Sequence, residues 1–203
     1  GAFKKVFLSN IISLAKKNKA TEVKLLLLGD IPDLIRSEQW FLEKEEDRPW
    51  GANGLRDIPN PRLGSRTERR CLDILGRFPA SGKLADVPEN TILHQNWETF
   101  EFFRNFQKTI QDELGRELPV QIIYVVGNHD RLINLYPSLR DELRTMLGLT
   151  VNTDTVQVLD GMEWWYPYEF QDDAYGVFTR HGNQFDPYNY NGGPAYTRED
   201  HLQ

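Results

Sequence analysis

The chain has 203 residues, of which 39% are hydrophobic, and this is enough to bury one substantial core in a single domain. Its net charge of −6 and its sequence pI near 5.3 argue against a nucleic-acid surface held by general basicity. The single cysteine, Cys71, excludes an internal disulfide, and no apolar run approaches the ~20 residues needed to span a bilayer. Because no apolar leader opens the chain either, the sequence predicts a cytoplasmic protein.

The first part of the chain predicts a helix, a buried strand and a second helix. Over residues 3–19, apolar side chains recur at helical spacing with lysines on the opposite face. Residues 25–28 are four leucines, which favour a buried strand, and Gly29-Asp30-Ile31-Pro32-Asp33 follows them. Residues 34–42 predict a helix that ends in the charged run at 43–48.

Residues 49–95 differ from their surroundings, because glycine and proline occur throughout them and only residues 66–75 have a helical pattern. We interpret them as an insertion within the single domain. A segment of this length is commonly an active-site lid or an insertion rather than a plain connector. Two interpretations stay open: a lid over the functional site, or a surface excursion without a functional role.

The second half of the chain predicts helices and strands in alternation. Residues 97–114 predict a long helix capped by Asn96, followed by a buried strand at 120–126 and a helix at 137–147. Strands are predicted at 155–159, 162–170 and 174–180, with the last two forming an antiparallel pair that turns at 171–173. Residues 187–203 show no periodicity. The buried side predicted for the long helix consists of Trp97, Phe100, Phe103, Phe106, Ile110 and Leu114.

Polar side chains with metal-ligand chemistry follow three of the predicted strands. Asp30 and Asp33 follow the first strand, Gly127-Asn128-His129-Asp130 follows the strand at 120–126, and His181-Gly182-Asn183 follows the strand at 174–180. Open α/β sheets place their chemistry at the carboxyl ends of their strands. The sequence therefore predicts that these three loops come together at one site.

A carboxylate at Asp30, an amide oxygen at Asn128 and an imidazole at His181 form a mixed oxygen and nitrogen ligand set. Such a set suits Mn, Fe, Zn or Mg better than ions that prefer thiolates. Because a carboxylate has two oxygens, Asp30 could bridge two ions, and two ions about 3.5–4 Å apart can generate hydroxide near neutral pH and neutralise a phosphoryl oxygen. His129 is then a candidate general acid for the leaving oxygen, and Asp33 is placed to hold its imidazole ring.

These motifs resemble those of the calcineurin-like metallophosphoesterases. Gly29-Asp30-x-x-Asp33 is similar to the second motif of that family, Gly127-Asn128-His129-Asp130 to the third, and His181-Gly182-Asn183 to the fourth. The resemblance implies that Asp30 bridges two divalent metal ions, that Asn128 and His181 bind metal, and that Asp33 pairs with the catalytic His129. It also implies an α/β fold in which two packed mixed β-sheets are flanked by helices, an α/β/β/α sandwich.

Two motifs of the family do not occur in the sequence. It contains neither Asp-x-His nor Gly-His-x-His, and its four histidines are His94, His129, His181 and His201. We expect that the sandwich is incomplete at both ends because the chain is truncated, with natural degeneration of the site as the alternative. We interpret His94 and His201 as surface residues.

Two residues beside the motifs have more than one interpretation. Arg131 could steer a phosphate group, or it could form an exposed salt bridge. Asp186 could support His181 by a hydrogen bond from behind, or it could cap the turn that follows.

The leading hypothesis is a metal-dependent phosphoesterase that hydrolyses a phosphomonoester or a phosphodiester by direct attack of a metal-bound hydroxide. The alternative is a catalytically incomplete metallophosphoesterase-like protein that acts as a binding or assembly module. A doubly wound nucleotide-binding domain is disfavoured, because no G-x-G-x-x-G or G-x-x-x-x-G-K-[ST] sequence occurs. The expected partner is a phosphate-ester substrate, and the sequence specifies neither which ester it is nor an oligomeric state.

Overall fold

The computed structural model describes residues 2–50, 63–149, 157–158 and 164–185, and every structural statement below refers to these residues. They form a mixed α/β structure with one small parallel sheet and two small antiparallel sheets. Most of the predicted strand at 155–159, together with Asp186, His201 and the tail at 187–203, lies outside the described residues.

A parallel pair of strands positions the predicted loops. Strand β1 (Val23–Leu28) pairs with strand β2 (Val120–Val125) in register from the first residue to the last. Leucines in β1 and β-branched residues in β2 favour a buried, extended backbone. Because the strands run in parallel without a stagger, their carboxyl ends meet, and the loops that follow them are neighbours. The prediction of these two strands is confirmed.

The two other strand pairs are antiparallel. Strand β3 (Gln157–Val158) pairs with β4 (Trp164–Trp165), and β5 (Glu169–Asp172) pairs with β6 (Val177–Arg180). The predicted antiparallel pair ahead of the third loop is therefore confirmed, although its turn occupies residues 173–176. The single strand predicted at 162–170 is wrong. Pro167 interrupts it, since proline cannot donate to a ladder, and its carbonyl instead accepts the N–H of Val126 at the end of β2 (3.0 Å).

Seven α-helices occur in the described part of the chain, and the helices predicted at 3–19, 66–75 and 137–147 are confirmed. The helix at 66–75 begins where the Ser65 hydroxyl accepts the N–H of Glu68 (3.1 Å), and the helix at 137–147 begins with Pro137 and ends at Gly148, whose φ is +66°. The helices are α1 (Ala2–Lys17), α2 (Arg66–Leu75), α3 (Ile92–Gln95), α4 (Trp97–Arg104), α5 (Phe106–Leu114), α6 (Leu132–Leu135) and α7 (Pro137–Leu147).

The helix predicted at 34–42 is wrong, because this segment forms turns and one short 3-10 helix, Glu38–Leu42, and a second 3-10 helix, Glu45–Asp47, follows it. The reason is tertiary. The side chain of Trp40 is fully buried, and its indole N–H donates to the carbonyl of Leu34 (2.7 Å). The guanidinium of Arg48 binds the carbonyl of Trp40 (3.2 Å). The carbonyl of Trp40 also accepts the N–H of Glu43 (3.0 Å), which is the spacing of a 3-10 helix and not that of an α-helix.

The long helix predicted at 97–114 is divided at Asn105 into α4 and α5. The side-chain amide of Asn105 donates to the carbonyl of Glu101 (2.8 Å), which competes with the backbone for the same acceptor. Asn96 stands at the start of α4, but its side chain donates to the carbonyl of Ile92 (3.0 Å) and does not cap the helix. On the buried side, Phe102 is more deeply buried than the predicted Phe103.

The core has a larger part, around β1, β2 and helices α2, α3, α4, α6 and α7, and a smaller part between α1 and α5. The described portion of the 49–95 segment belongs to the larger part, since Cys71, Leu75 and Leu93 have no exposed surface. Burial of one such leucine contributes about 1.5–3 kcal/mol. No described helix is both long enough and apolar enough to cross a membrane.

Candidate metal centre

The loops after β1 and β2 approach each other through two glycines. A Cβ atom at Gly29 would lie 2.5 Å from the backbone nitrogen of Gly127, and one at Gly127 would lie 2.8 Å from the backbone nitrogen of Asp30. Real Cβ atoms essentially never come so close to backbone atoms, so only glycine fits at either position. Gly29 also has a φ of +81°, a conformation that glycine adopts without strain. The close approach brings the two ligand-bearing loops together.

Asp130 fastens these loops together from the interior. Its side chain is fully buried, and its oxygens accept the N–H of Gly127 (2.6 Å) and the hydroxyl of Tyr124. The same carboxyl accepts the backbone N–H groups of Asp30 and Ile31 on the other loop. Burial, followed by the negative charge of Asp30, raises the pKa of Asp130 well above its usual range, against the opposing effect of these backbone donors. Asp130 therefore stabilises the two loops from the interior of the fold.

Asp30 lies where the three loops converge. Its Oδ1 accepts the backbone N–H of His129 (2.9 Å), and its Oδ2 lies 3.1 Å from Nε2 of His181. Its φ of +53° is uncommon for a residue other than glycine, although aspartate tolerates it better than most. The backbone of Asp30 thus takes a turn conformation that directs one oxygen to the second loop and the other to the third.

His181 contacts both the end of β1 and the carboxylate of Asp30. Its Nδ1 lies 2.5 Å from the carbonyl oxygen of Leu28, at the end of β1. Because a carbonyl only accepts, Nδ1 carries the hydrogen, and Nε2 faces Asp30. Nε2 lies 3.1 Å from Oδ2 of Asp30, so that a protonated ring forms an ion pair with this carboxylate, and a neutral ring can share a cation with it. Metal-binding histidines usually donate one ring N–H to a carbonyl or carboxylate in this way and direct the other nitrogen to the ion.

The predicted pairing of His129 with Asp33 is present in the structure. Nδ1 of His129 lies 3.0 Å from Oδ2 of Asp33, and the imidazole is 15% exposed while the carboxylate is 34% exposed. The other oxygen of Asp33 accepts the backbone N–H of Arg36 (3.1 Å). Asp33 therefore fixes the orientation of the ring, and Nε2 becomes the nitrogen that His129 offers to a ligand.

Arg36 belongs to the site, although it was not among the residues predicted from the sequence. Its Nη2 lies 3.3 Å from Nε2 of His129, and its Nε lies 3.6 Å from Oδ2 of Asp33. The available signal was its position three residues after Asp33, a spacing at which a cation can turn back to a carboxylate. That signal is weak without knowledge of where the chain turns.

Arg131 does not form the exposed salt bridge that was one of its two predicted roles. It is half-buried, and its Nη1 donates to the backbone carbonyl of Asn128 (2.9 Å). Burial lowers the pKa of its guanidinium. Arg131 thus holds the backbone of Asn128, the half-buried residue predicted to offer an amide oxygen to metal.

The structure places all five predicted residues, Asp30, Asp33, Asn128, His129 and His181, on loops at the carboxyl end of the parallel strands or beside it. Asp30 and His181 face each other, and Asp33 and His129 face each other. Within the described ranges, no group of three or more His, Cys, Asp or Glu side chains is arranged to hold a metal ion. The ligands brought together in this part of the chain are one carboxylate and one imidazole, with Asn128 on the adjoining loop.

Comparison of the chain with protein-family models, with curated proteins and with solved structures gave no match.

Proposed function

We propose that the chain carries the catalytic residues of a metal-dependent phosphoesterase that hydrolyses a phosphomonoester or a phosphodiester. The observation that carries this proposal is the contact between Nε2 of His181 and Oδ2 of Asp30, 3.1 Å apart, while Nδ1 of the same histidine is engaged by the carbonyl of Leu28. This donor set suits a divalent cation, because it combines a negative oxygen with an oriented imidazole lone pair.

Asp30, Asn128 and His181 would hold two divalent ions, of Mn, Fe, Zn or Mg. When bound, such ions lower the pKa of a water molecule and neutralise charge on a phosphoryl oxygen. The two oxygens of Asp30 face different loops, which supports a bridging position for this carboxylate. The backbone N–H of His129 and the carbonyl of Leu28 orient the ligands independently of any ion.

His129 would handle the proton of the leaving group. Asp33 accepts at Nδ1, so that in the imidazolium form of the ring Nε2 is the atom that would present a proton to the departing oxygen. A general acid of this kind contributes on the order of 10²–10⁴-fold to the rate. Asp33 acts through the imidazole, as a positioning residue.

The same proposal extends to the fold. We infer that β1 and β2 belong to one sheet of a metallophosphoesterase-type sandwich, and that the β5–β6 hairpin belongs to the second. The contact of His181 with the end of β1 supports this arrangement, since it joins the loop after β6 to the parallel pair.

The test uses the full-length protein, treated with a chelator and then reloaded with Mn²⁺. Hydrolysis of p-nitrophenyl phosphate and of its bis ester is measured for the wild type and for His129→Ala, with His94→Ala in α3 as the matched histidine control. We expect Mn²⁺ to restore turnover in the wild type and in His94→Ala, and His129→Ala to lose at least about 100-fold.

Direct measurement of Mn²⁺ binding separates the outcomes. We expect His181→Ala to weaken binding, since it removes a ligand. A wild-type protein that binds no metal would overturn the proposal and favour the binding or assembly module. A protein that binds metal but hydrolyses neither ester would also contradict the proposed phosphoesterase activity.

A further inference from the structure

The guanidinium of Arg36 lies on the open side of the candidate site. Its side chain is 72% exposed, with Nη2 3.3 Å from Nε2 of His129 and Nε 3.6 Å from Oδ2 of Asp33. Its backbone N–H is bound to the other oxygen of Asp33 (3.1 Å). The backbone of Arg36 is therefore held by Asp33, and its exposed guanidinium lies at the nitrogen that His129 would offer to a substrate.

A phosphate ester is an anion, and divalent ions held by Asp30, Asn128 and His181 would neutralise charge on one side of it. On the side of His129 and Asp33, the exposed cation that the described residues offer is Arg36. Arg131, the other arginine nearby, has its guanidinium bound to the carbonyl of Asn128 and is half-buried. Arg36 is exposed, and a guanidinium keeps its charge in proteins and presents paired N–H groups that match two phosphate oxygens.

The guanidinium of Arg36 has two contacts in the site: the Asp33 carboxylate at 3.6 Å, beyond ordinary hydrogen-bond distance, and Nε2 of His129 at 3.3 Å. Nε2 of His129 can accept from Nη2 only as a neutral nitrogen, whereas a phosphoryl oxygen carries negative charge. Hydrogen bonds between charged partners are roughly twice as strong as neutral ones. A phosphate group at this position would therefore draw the guanidinium from His129, and Nε2 could then take up from solvent the proton that it gives to the leaving oxygen.

We propose that Arg36 binds a non-bridging oxygen of the substrate's phosphoryl group and thereby makes the site select phosphomonoesters over phosphodiesters. This inference rests on the phosphoesterase function proposed above. A monoester has three non-bridging oxygens, and a diester has two. A monoester also carries up to two negative charges near neutral pH whereas a diester carries one, so the guanidinium of Arg36 should bind the monoester more strongly.

The experiment compares Arg36→Ala and Arg36→Lys with the wild type in the full-length, Mn²⁺-loaded protein. The matched control is Arg116→Ala, because Arg116 is an exposed arginine that precedes β2 and thus lies at the opposite end of the parallel strands. The readouts are kcat and KM for p-nitrophenyl phosphate and for its bis ester, and the affinity for inorganic phosphate by titration calorimetry.

We expect Arg36→Ala to raise KM for the monoester and to weaken phosphate binding by roughly 10- to 100-fold, the range for loss of a hydrogen bond between charged groups. KM for the diester should change by less than about threefold, which is the scale of surface charge effects. Arg36→Lys should recover part of the loss, since lysine restores the charge without the planar fork. Added guanidinium ion should restore monoester hydrolysis in Arg36→Ala.

Phosphate affinity that is unchanged in Arg36→Ala would overturn this inference, and so would an equal loss for both esters. In either case, turnover that depends on His129 would leave the proposed function standing. Conversely, a wild type that hydrolyses neither ester but binds phosphate through Arg36 would overturn the proposed function and support the phosphate contact.

Discussion

Replacement of Gly29 by alanine tests the close approach of the two ligand loops. The added Cβ would lie 2.5 Å from the nitrogen and 2.6 Å from the Cα of Gly127, and 2.7 Å from Nδ1 of His181. Two of these neighbours are backbone atoms, which cannot turn aside as a flexible side chain can. The loops would have to separate, and the bond between His181 and the carbonyl of Leu28 would be strained with them.

The expected cost has two parts. A left-handed backbone conformation, with φ at +81°, costs an alanine about 1 kcal/mol relative to glycine. Overpacking in a tight site costs a further ~1–3 kcal/mol. We therefore expect Gly29→Ala to lower the free energy of unfolding by about 2–4 kcal/mol. For a chain of this size, that corresponds to a fall in Tm of roughly 4–16 °C.

Gly82→Ala is the matched control, because Gly82 also has a positive φ, +67°, but a Cβ added there would meet no heavy atom within 4 Å. It should show the conformational cost alone, about 1 kcal/mol. Both variants are measured by urea unfolding at pH 7 with circular dichroism. Equal losses in the two variants would refute the reasoning, since the contact between the loops would then contribute nothing.

Three further predictions concern buried groups. Asp130→Ala leaves several buried backbone N–H groups without their acceptor and should cost about 3 kcal/mol or more in urea unfolding, whereas the exposed Asp112→Ala should cost less than about 0.5 kcal/mol. The guanidinium of Arg66 lowers the pKa of Glu43, so the stability that the Glu43 carboxylate contributes is present above its usual pKa of 4.5 and is lost as the pH falls below that value. The free energy of unfolding of Glu43→Gln, measured against pH, should lack this loss. Identical pH profiles for the variant and the wild type would contradict the prediction. Burial raises the pKa of the Cys71 thiol, so Ellman's reagent should react only after unfolding, and rapid labelling of the native protein would show the packing to be wrong.

The elements that local sequence determines were predictable. The leucines of β1, the β-branched residues of β2 and the helical pattern of α7 each specify their conformation through composition or spacing within a few residues. The segment at 34–42 was not predictable in this way. Its conformation depends on the buried Trp40 and on a hydrogen bond from Arg48. The spacing of apolar residues in the sequence indicates neither of these contacts.

In the candidate site, too, some features follow from local sequence and others depend on tertiary contacts. That the loops of Asp30 and His129 lie side by side could be predicted, because each follows a recognisable strand and parallel pairing brings the strand ends together. The contact of His181 with Asp30 does not follow from this rule, since His181 comes after an antiparallel pair. The direction of a side chain is not encoded in that order. Hence the sequence grouped Asp130 with the polar loop residues, whereas the structure turns it into the interior.

The buried carboxyl of Asp130 has a consequence for how ions would exchange at this site. Its hydrogen bonds join the two loops whether or not a metal is bound, so the shape of the site is part of the folded core. An ion would meet candidate ligands on loops whose backbone is already held in place, and the free energy of binding would not be needed to order these two loops, unlike in proteins that fold only around their metal. Chelation should therefore be reversible, and the amide protons of Gly127 and Ile31 should exchange with solvent as slowly in the stripped protein as those of β2.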